Sequence, residues 1–462
     1  MGIDLFSLER RIKRMAITTG FEIIEKNPEK NVNKLFEIAE KVSKDEITKS
    51  AIINIKNYYN EMPSVKEYIQ DILKTTNRNC LKKFYSNFAG NAVWYGMPKR
   101  EKLGQEEDAK IPFALLISPS MRCNLRCTGC YAANYSKKDD ISNEEIERLI
   151  KEAREMGIYY IVVLGGEPFF NEYMLDIYKK YNDMYFMPFT NGTLFNEKLA
   201  DELAELGNVM PMFSIEGWAE DTDKRRGDGV FASVIKGMEL LEKRGVLFGA
   251  SAATSNSNIY TVTSDAFIDM LVEKGARMLW YFMFMPIGDN PIEDMNYMLS
   301  PKERIYLGKR NREIRTHKKI FTIDFFNDAP YVGGCIAGKY YCHINSKQDV
   351  EPCIFSHFAT TNIKEKPLMD AFKAPYFKNL INKQPYNKNL LMPCPMIDNP
   401  QNIRDIIKEN GAYPTHPSAD LMVKDENFMK KLDKLAEDFK PYADKAYAED
   451  FNNSGNYEMS KG

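Results

Sequence analysis

The spacing of apolar residues changes along the chain. Before about residue 110 it is helical, as in LFSLERRIKRMAI, where one helix face carries Leu5, Leu8, Ile12 and Met15. Between residues 111 and 288, apolar runs of strand length alternate with amphipathic stretches of helix length. The first part is therefore predicted to be helical, and the second to consist of repeated strand–helix units with a parallel sheet.

Six apolar runs are the predicted strands: PFALLIS (112–118), YYIVVL (159–164), YFMPFT (185–190), NVMPMFSI (208–215), VLFGASAAT (246–254) and RMLWYFMFM (277–285). Runs this apolar are typical of strands buried on both faces, as in parallel sheets covered by helices. Six units fall short of the eight of a closed barrel. The predicted fold class is therefore α/β, a partial (β/α)6 TIM-like barrel, with its chemistry at the C-terminal ends of the strands.

The pattern changes again after the sixth strand. A basic helix is predicted over 302–319, a β-hairpin over 340–355 and a charged helix near 424–440. These changes predict a helical N-terminal region (1–110), a barrel (111–320), a small third domain (321–400) and a helical C-terminal tail (401–462).

Charge and hydropathy exclude some classes of protein. The 63 basic residues nearly balance the 65 acidic ones, so no overall field favours nucleic acid. No apolar run is long enough to cross a bilayer, and the N-terminus lacks the apolar core of a signal peptide. A cytoplasmic protein is expected. The basic residues among 10–14 add a second expectation, an interfacial helix in peripheral contact with a membrane; the alternative is a helix packed on the protein body.

Three of the eight cysteines lie within eight residues, in MRCNLRCTGCYAANY. Cys123, Cys127 and Cys130 follow the first predicted strand, at the barrel end where chemistry is expected. Three thiolates from one loop can bind three irons of a [4Fe–4S] cluster and leave the fourth iron open to another ligand. A zinc site would require a fourth protein ligand, and none is near in sequence.

The C-x3-C-x2-C spacing after the first strand of a six-unit partial barrel resembles the radical S-adenosylmethionine (radical SAM) superfamily, over about residues 113–288. The resemblance implies an enzyme of the oxidoreductase or transferase type that cleaves S-adenosylmethionine reductively at a [4Fe–4S] cluster. The resulting 5′-deoxyadenosyl radical abstracts hydrogen from a substrate. It also implies an electron donor such as ferredoxin or flavodoxin.

Other strand ends support this resemblance. LGGEP follows the second strand and matches the family's Gly-Gly-Glu motif, so Gly165 and Gly166 are expected to approach the methionine part of S-adenosylmethionine, with Glu167 accepting its ammonium group. FSIEG ends the fourth strand, where the family presents a polar pair to the ribose; Ser214 and Glu216 fit.

Two further positions complete the expected cofactor site. In SAATSNSN, at the end of the fifth strand, Asn256 or a nearby hydroxyl group is expected to reach the ribose or the carboxylate. The family often has an aromatic residue before the third cysteine, but here that position is Gly129 and an aromatic residue, Tyr131, follows the cysteine instead. Tyr131 is therefore included in the expected site.

The later cysteines resemble the SPASM or twitch extension of some radical SAM enzymes, although Gln348 stands where a glycine is expected. The resemblance implies a small C-terminal Fe–S domain with one auxiliary [4Fe–4S] cluster, whose expected ligands are Cys335, Cys342, Cys353 and Cys394. Cys342 lies mid-strand, where a packed thiol is the alternative. A structural zinc with His357 as a ligand is the alternative for the whole group.

The substrate is predicted from weaker features. The basic N-terminus, the basic stretch 302–319 and the aromatic and methionine residues of the sixth strand slightly favour a lipid chain, modified at an unactivated carbon. A peptide-modifying or protein-modifying maturase is the first alternative, since relatives with such extensions often act on peptides. A non-catalytic Fe–S or zinc-binding protein is the second.

Overall fold

The computed structural model describes residue 20 and residues 28–42, 46–132, 139–288 and 290–452, with the backbone alone at a few helix positions. The amphipathic segment at residues 5–17 lies outside these residues, so its contact with a membrane stays a prediction. Within the described ranges, no helix has both the length and the apolar character needed to cross a bilayer.

Nine strands of the described chain form one sheet in the order β7-β6-β5-β4-β3-β2-β1-β8-β9, and only β8 and β9 pair antiparallel. The strands are β1 Ala114–Ile117, β2 Tyr160–Val163, β3 Tyr185–Thr190, β4 Met212–Ser214, β5 Gly249–Thr254, β6 Met278–Met283, β7 Phe321–Asp324, β8 Tyr341–Ile344 and β9 Val350–Glu351. The six predicted strands and the α/β barrel class are confirmed. The structure adds β7 beside β6 and the hairpin strand β8 beside β1, both parallel.

Helices connect the strands and cover the outer face of the sheet. They are Asn143–Met156, Tyr173–Lys180, Glu197–Leu206, Ala219–Arg226, Val230–Glu242, Ile259–Val262, Asp265–Glu273, Pro291–Asp294 and Pro301–His317. The first begins where the Ser142 hydroxyl accepts a hydrogen bond from the Glu145 amide. Its buried residues, among them Ile146, Leu149 and Ile150, pack into the same core as the outward-facing residues of β1.

The described N-terminal residues are helical, as predicted. The helices are Pro28–Val42, Glu46–Glu61, Pro63–Thr75, Arg78–Lys83, a π-helical stretch Phe84–Tyr95, and Gly96–Glu107. The Phe84 ring packs against Tyr185 at the start of β3, and the Phe88 ring packs against Tyr160 at the start of β2. The π-helical stretch therefore covers the N-terminal end of the barrel.

The C-terminal part begins with the β8–β9 hairpin. Its turn contains Gln348 with φ +67°, a left-handed conformation that favours glycine, so the position where a glycine was expected keeps a glycine-like backbone. The remaining elements are the short pair Phe358–Ala359 and Tyr413–Pro414, and the helices Met369–Lys373, Pro375–Asn382, Pro400–Asn410, Leu421–Lys424, Glu426–Tyr447 and π-helical Ala448–Asn452. The division into four regions stays a prediction.

Alternate residues of the strands face inward and line an apolar lumen of about 440 Å³. Examples from separate strands are Leu116, Val162, Met187, Trp280 and Ile323. Because side chains alternate between the two faces of a strand, an apolar run gives both an apolar lumen wall and an apolar outer face for the helices. The sheet ends at β7 and β9 and does not close, so the lumen extends into the gap between these two edges.

Candidate active site

The first cysteine group lies where the sequence predicted, on the loop after β1 at the C-terminal ends of the strands. Cys123, Cys127 and Cys130 line one cleft of about 180 Å³. Neighbouring elements hold their loop through backbone hydrogen bonds, from the Thr128 amide to the Arg225 carbonyl at 3.0 Å and from the Glu167 amide to the Arg122 carbonyl at 2.8 Å. The fold therefore brings all three thiols to one side of a single cleft.

Gly165 and Gly166 also line this cleft, at the end of β2. A Cβ atom at Gly165 would overlap the Ser120 carbonyl, and one at Gly166 would overlap the Arg122 carbonyl. Gly165 also has φ +109°, which side chains disfavour. The two glycines are thus required for close packing of the β2 end against the cysteine loop. The sequence alone did not predict this packing role.

The Glu167 carboxylate is turned away from the cleft and buried. It accepts hydrogen bonds from the Thr190 hydroxyl at 2.7 Å, the Asn191 amide at 2.7 Å and the Phe169 amide at 3.2 Å. Burial raises the pKa of Glu167 to about 7 despite these donors. These contacts position the β3 end, and the expected contact of Glu167 with an ammonium group stays a prediction.

Asn191, whose backbone amide donates to the Glu167 carboxylate, lines the cleft. Its side chain donates to Asn124 Oδ1 at 2.9 Å and approaches Cys123 Sγ at 3.7 Å. The TNGT segment (190–193) was not among the residues expected in the cofactor site. Its place at the C-terminal end of a barrel strand was the signal that could have identified it.

Of the pair expected at the ribose, the structure places one member in the cleft. Ser214 lines it together with Ser251 of β5, and their hydroxyl oxygens are 3.5 Å apart. Glu216 is buried and faces the helix Ala219–Arg226, where it forms ion pairs with Arg225 and Arg226. The structure therefore corrects the assignment of Glu216: it binds two arginines that line the cleft instead of lining the cleft itself.

Arg225 and Arg226 were missed by sequence reasoning. Burial opposes the charged form of Arg226, but the Glu216 carboxylate and the nearby Cys127 and Cys130 outweigh it and raise the pKa of the guanidinium. The two arginines place positive charge beside the cysteines. The basic pair in DKRRGDG after the fourth strand was the available signal.

Asn256 is not brought to the cleft. Its side chain donates to the Asn296 carbonyl at 2.7 Å, and its amide donates to the Tyr297 carbonyl at 3.1 Å. The structure corrects this assignment, because Asn256 connects two loops at the strand ends and its side-chain amide is already used.

Tyr131 lines the cleft as expected. Burial, and then the neighbouring Cys130, raise the pKa of its hydroxyl group. Gly129 has φ +62°, and a Cβ there would overlap the Phe284 ring at the end of β6. An aromatic ring from another strand therefore packs on the position where the family often has an aromatic side chain.

Burial raises the pKa of the Cys123 and Cys130 thiols, and the charges of Arg225 and Arg226 act against this at Cys130. Among the described residues, no three His, Cys, Asp or Glu side chains converge as ligands of a single metal ion do. In a [4Fe–4S] cluster each thiolate binds a different iron, so a loop that spaces its cysteines around a cleft suits such a cluster.

Three of the four cysteines in the second group lie close to the same part of the lumen wall. Cys335, Cys353 and Cys394 line the lumen at the gap between the two edges of the sheet. Burial raises the pKa of all three thiols. The Tyr341 hydroxyl group donates to Cys353 Sγ at 2.9 Å.

Cys342 is not among them. Tyr341 faces the lumen, so the next residue on β8 faces the opposite side of the sheet, where Cys342 is fully buried in the hydrophobic core. The structure corrects Cys342 from an expected cluster ligand to a packed thiol. His357, the alternative zinc ligand, is also directed elsewhere: its Nδ1 lies 3.6 Å from Glu351 Oε1, and its ring lies 5.1 Å from that of His416.

The cleft and the lumen adjoin each other. Five residues line both: Leu164, Phe189, Phe282, Ile354 and Phe355. The cysteine cleft is thus the C-terminal mouth of the lumen, and the second cysteine group lies in the lumen's side wall. A molecule in the lumen would extend between the two groups.

Comparison with known proteins agrees with this arrangement. Residues 117–256 match the family model of the Radical SAM superfamily. The Fe-coproporphyrin III synthase of Methanosarcina barkeri is 28% identical over 224 residues, which cover 46% of this chain and 55% of that protein. The mycofactocin maturase MftC of Mycobacterium tuberculosis is 23% identical over 287 residues, covering 56% of this chain and 69% of that protein.

A similar fold is known. The structure of Streptococcus suis SuiB bound to the precursor peptide SuiA aligns with a TM-score of 0.51 at 18% identity, covering 61% of this chain and 70% of that one. These matches confirm the resemblance inferred from the sequence and the expected cofactors, a [4Fe–4S] cluster and S-adenosylmethionine. Residues 117–256 of the chain are therefore similar to the Radical SAM superfamily.

Proposed function

We propose that this protein is a radical SAM enzyme that holds a [4Fe–4S] cluster through Cys123, Cys127 and Cys130 and binds S-adenosylmethionine in the adjoining cleft. The donor set fits this cofactor, since three thiols from one loop line a cleft that also contains two arginines. When bound, the cluster supplies one electron that converts S-adenosylmethionine to methionine and a 5′-deoxyadenosyl radical, which takes a hydrogen atom from a substrate carbon.

The cleft residues have separate roles in this proposal. The Arg225 and Arg226 guanidinium groups offset the negative charge of thiolates and of a carboxylate. The Ser214 and Ser251 hydroxyl groups, at adjacent strand ends, offer hydrogen bonds to a ribose. The rings of Phe282 and the other aromatic residues at the mouth of the lumen exclude water from the reacting carbon.

The observation that supports the substrate class is the shared wall between this cleft and the lumen. The lumen wall is almost entirely aliphatic and aromatic, and its volume of about 440 Å³ lies within the range of ligand sites. We therefore propose that the reacting part of the substrate is apolar and that a lipid chain, modified at an unactivated carbon, is the favoured substrate.

A peptide substrate is the second candidate, favoured by the relatives. MftC is named a maturase, and SuiB was crystallised with a precursor peptide. An apolar peptide side chain would fit the lumen, but the lumen offers few partners for peptide backbone groups, which must be hydrogen-bonded when buried.

An auxiliary [4Fe–4S] cluster at Cys335, Cys353 and Cys394 belongs to the same proposal. Their position at the edge of the lumen favours an electron acceptor or a substrate contact next to the reacting carbon. Reduction by ferredoxin or flavodoxin, and location in the cytoplasm, remain part of the proposal.

The direct test is anaerobic reconstitution with iron and sulfide, followed by dithionite and S-adenosylmethionine. The expected product is 5′-deoxyadenosine, measured by liquid chromatography and mass spectrometry. A deuterated lipid that transfers deuterium into this product would support the lipid class, and transfer from a deuterated peptide would replace it. No 5′-deoxyadenosine from the reconstituted protein would contradict the catalytic assignment.

A further inference from the structure

The lumen wall also reaches the protein surface away from the cysteine cleft. Two of its lining residues are exposed, Phe321 at 43% and Tyr340 at 37%. Phe321 begins the edge strand β7 and Tyr340 immediately precedes β8, so both rings lie at the N-terminal end of the strands. We call the part of the lumen wall formed by these two exposed rings the side opening.

Two lysines lie at the side opening. Lys110 Nζ is 5.9 Å and Lys339 Nζ is 5.0 Å from the centre of the Tyr340 ring. No carboxylate of the described residues lies within ion-pair distance of either ammonium group. The carboxylates that precede Lys110 are engaged elsewhere, Glu107 by Lys373 at 2.8 Å and Asp108 by Lys378 at 2.5 Å.

We propose that the lumen takes a single-chain anionic amphiphile through the side opening, with the chain along the lumen and a carboxylate or phosphate head group at Lys110 and Lys339. Charge complementarity supports this choice, because two lysines with no carboxylate partner in the described part of the chain adjoin the exposed end of an otherwise apolar cavity. The inference rests on the proposed function and deepens it by naming the substrate class. The far end of such a chain reaches the wall that the lumen shares with the cysteine cleft.

Trp280 allows binding of an amphiphile in the lumen to be measured by fluorescence. It lines the lumen, whereas the other two tryptophans, Trp94 and Trp218, do not. The probe is cis-parinaric acid, a polyene fatty acid that accepts excitation energy from tryptophan, titrated into the anaerobically reconstituted full chain. Sensitised probe emission should fall more in Trp280→Phe than in Trp218→Phe, because energy transfer is strongest from the nearest tryptophan. Equal emission from both variants would overturn binding in the lumen.

The head-group site is tested with the double variant Lys110→Gln/Lys339→Gln. At low ionic strength its dissociation constant for the probe should rise about fivefold, as for loss of an exposed ion pair, and added salt should reduce the difference. Exposed Lys302→Gln on the helix Pro301–His317 is the matched control and should leave affinity unchanged. Unchanged affinity in the double variant would overturn the proposed head-group site.

The head-group site can also be tested on the unmodified enzyme, by comparing the probe acid with its methyl ester. The methyl ester of the probe should bind about fivefold more weakly than the acid. Displacement by dodecanoate or by dodecyl phosphate supports the proposal and identifies the carboxylate or the phosphate as the preferred head group. Stronger displacement by an apolar peptide or by iron coproporphyrin III would overturn it.

The same preparation is assayed for 5′-deoxyadenosine. Probe binding with the expected lysine dependence but no 5′-deoxyadenosine would contradict the proposed function alone. Formation of 5′-deoxyadenosine with no preference for the acid over its ester would contradict the amphiphile alone.

Discussion

Arg225 Nη1 lies 2.8 Å from Glu216 Oε1 in a buried ion pair, and Arg226 binds the same carboxylate. Glu216 follows β4 and the arginines end the next helix, so this pair fixes the distance between a strand end and a helix end beside the cysteine loop. The position of the two guanidinium groups in the cleft therefore depends on one buried carboxylate.

Glu216→Gln should destabilise the protein, because it leaves two largely buried guanidinium groups without their counter-charge. Breaking a buried ion pair in this way costs about 3–5 kcal/mol. Chemical denaturation measures the change in the free energy of unfolding. S-adenosylmethionine affinity should fall as well, and a variant with unchanged stability and affinity would contradict the role of the pair.

The pH dependence of this effect has a defined sign. Burial opposes ionisation of Glu216, but Arg226 and Arg225 outweigh it and hold its pKa below the ordinary value of 4.5. A lowered pKa contributes stability that is present above the unfolded value and is lost as the pH falls. The difference between wild type and Glu216→Gln should therefore shrink below pH 4.5, in unfolding experiments run at matched ionic strength.

Mutation should distinguish the iron bound by the first cysteine group from the iron bound by the second. The triple substitution of Cys123, Cys127 and Cys130 by Ala should abolish S-adenosylmethionine cleavage while the protein retains part of its iron. Iron and sulfide analysis, with electron paramagnetic resonance of the reduced protein, measures this. A triple variant without iron would show that the second group holds no cluster by itself.

Within the second group, Cys342→Ala should keep the iron content of the wild type, since this thiol faces the hydrophobic core. Cys353→Ala should lose iron, because Cys353 lines the lumen with Cys335 and Cys394. The cost of Cys342→Ala is limited to stability, about 1–2 kcal/mol for a core truncation. Equal iron loss in both variants would restore Cys342 as a ligand.

Asp324 at the end of β7 predicts a pH dependence of opposite sign. Burial, and then the nearby Asp328, raise its pKa to about 6. Its stabilising contribution is fully present below the unfolded value of 3.8 and is lost as the pH rises through about 6. Relative to wild type, Asp324→Asn should gain about 1.4 kcal/mol per pH unit over this interval, measured by denaturation. A difference independent of pH would contradict the raised pKa.

His343 is expected to hold the β8–β9 hairpin against β1. Its Nε2 lies 2.8 Å from the Ser118 hydroxyl oxygen and its Nδ1 lies 2.7 Å from Glu351 Oε2, with all three side chains buried. Ser118→Ala and His343→Gln should each destabilise the protein, with a coupling energy of about 0.5–3 kcal/mol in a double-mutant cycle. Additive effects would show that the contact contributes nothing of its own.

The sequence predicted the α/β class and the six central strands because these depend on local spacing. An apolar run such as YYIVVL forms a buried strand whichever strands lie beside it, and the loop after β1 carries Cys123, Cys127 and Cys130 with their chemistry already defined. The end of a strand is also recognisable locally, so Gly165, Gly166 and Ser214 were found in the region of the cleft where they were expected.

Pairings between distant segments were decided only by the tertiary structure. Ser118 and His343 are 225 positions apart, and nothing in either segment indicates that β8 lies beside β1. The register of β8 on β1 directs Tyr341 into the lumen and Cys342 away from it. The packing of the helix Ala219–Arg226 directs its two arginines towards Glu216. Local spacing determines which chemical groups the chain can offer, whereas the choice of strand neighbour determines which of them meet, because a side chain's direction has meaning only relative to the element beside it.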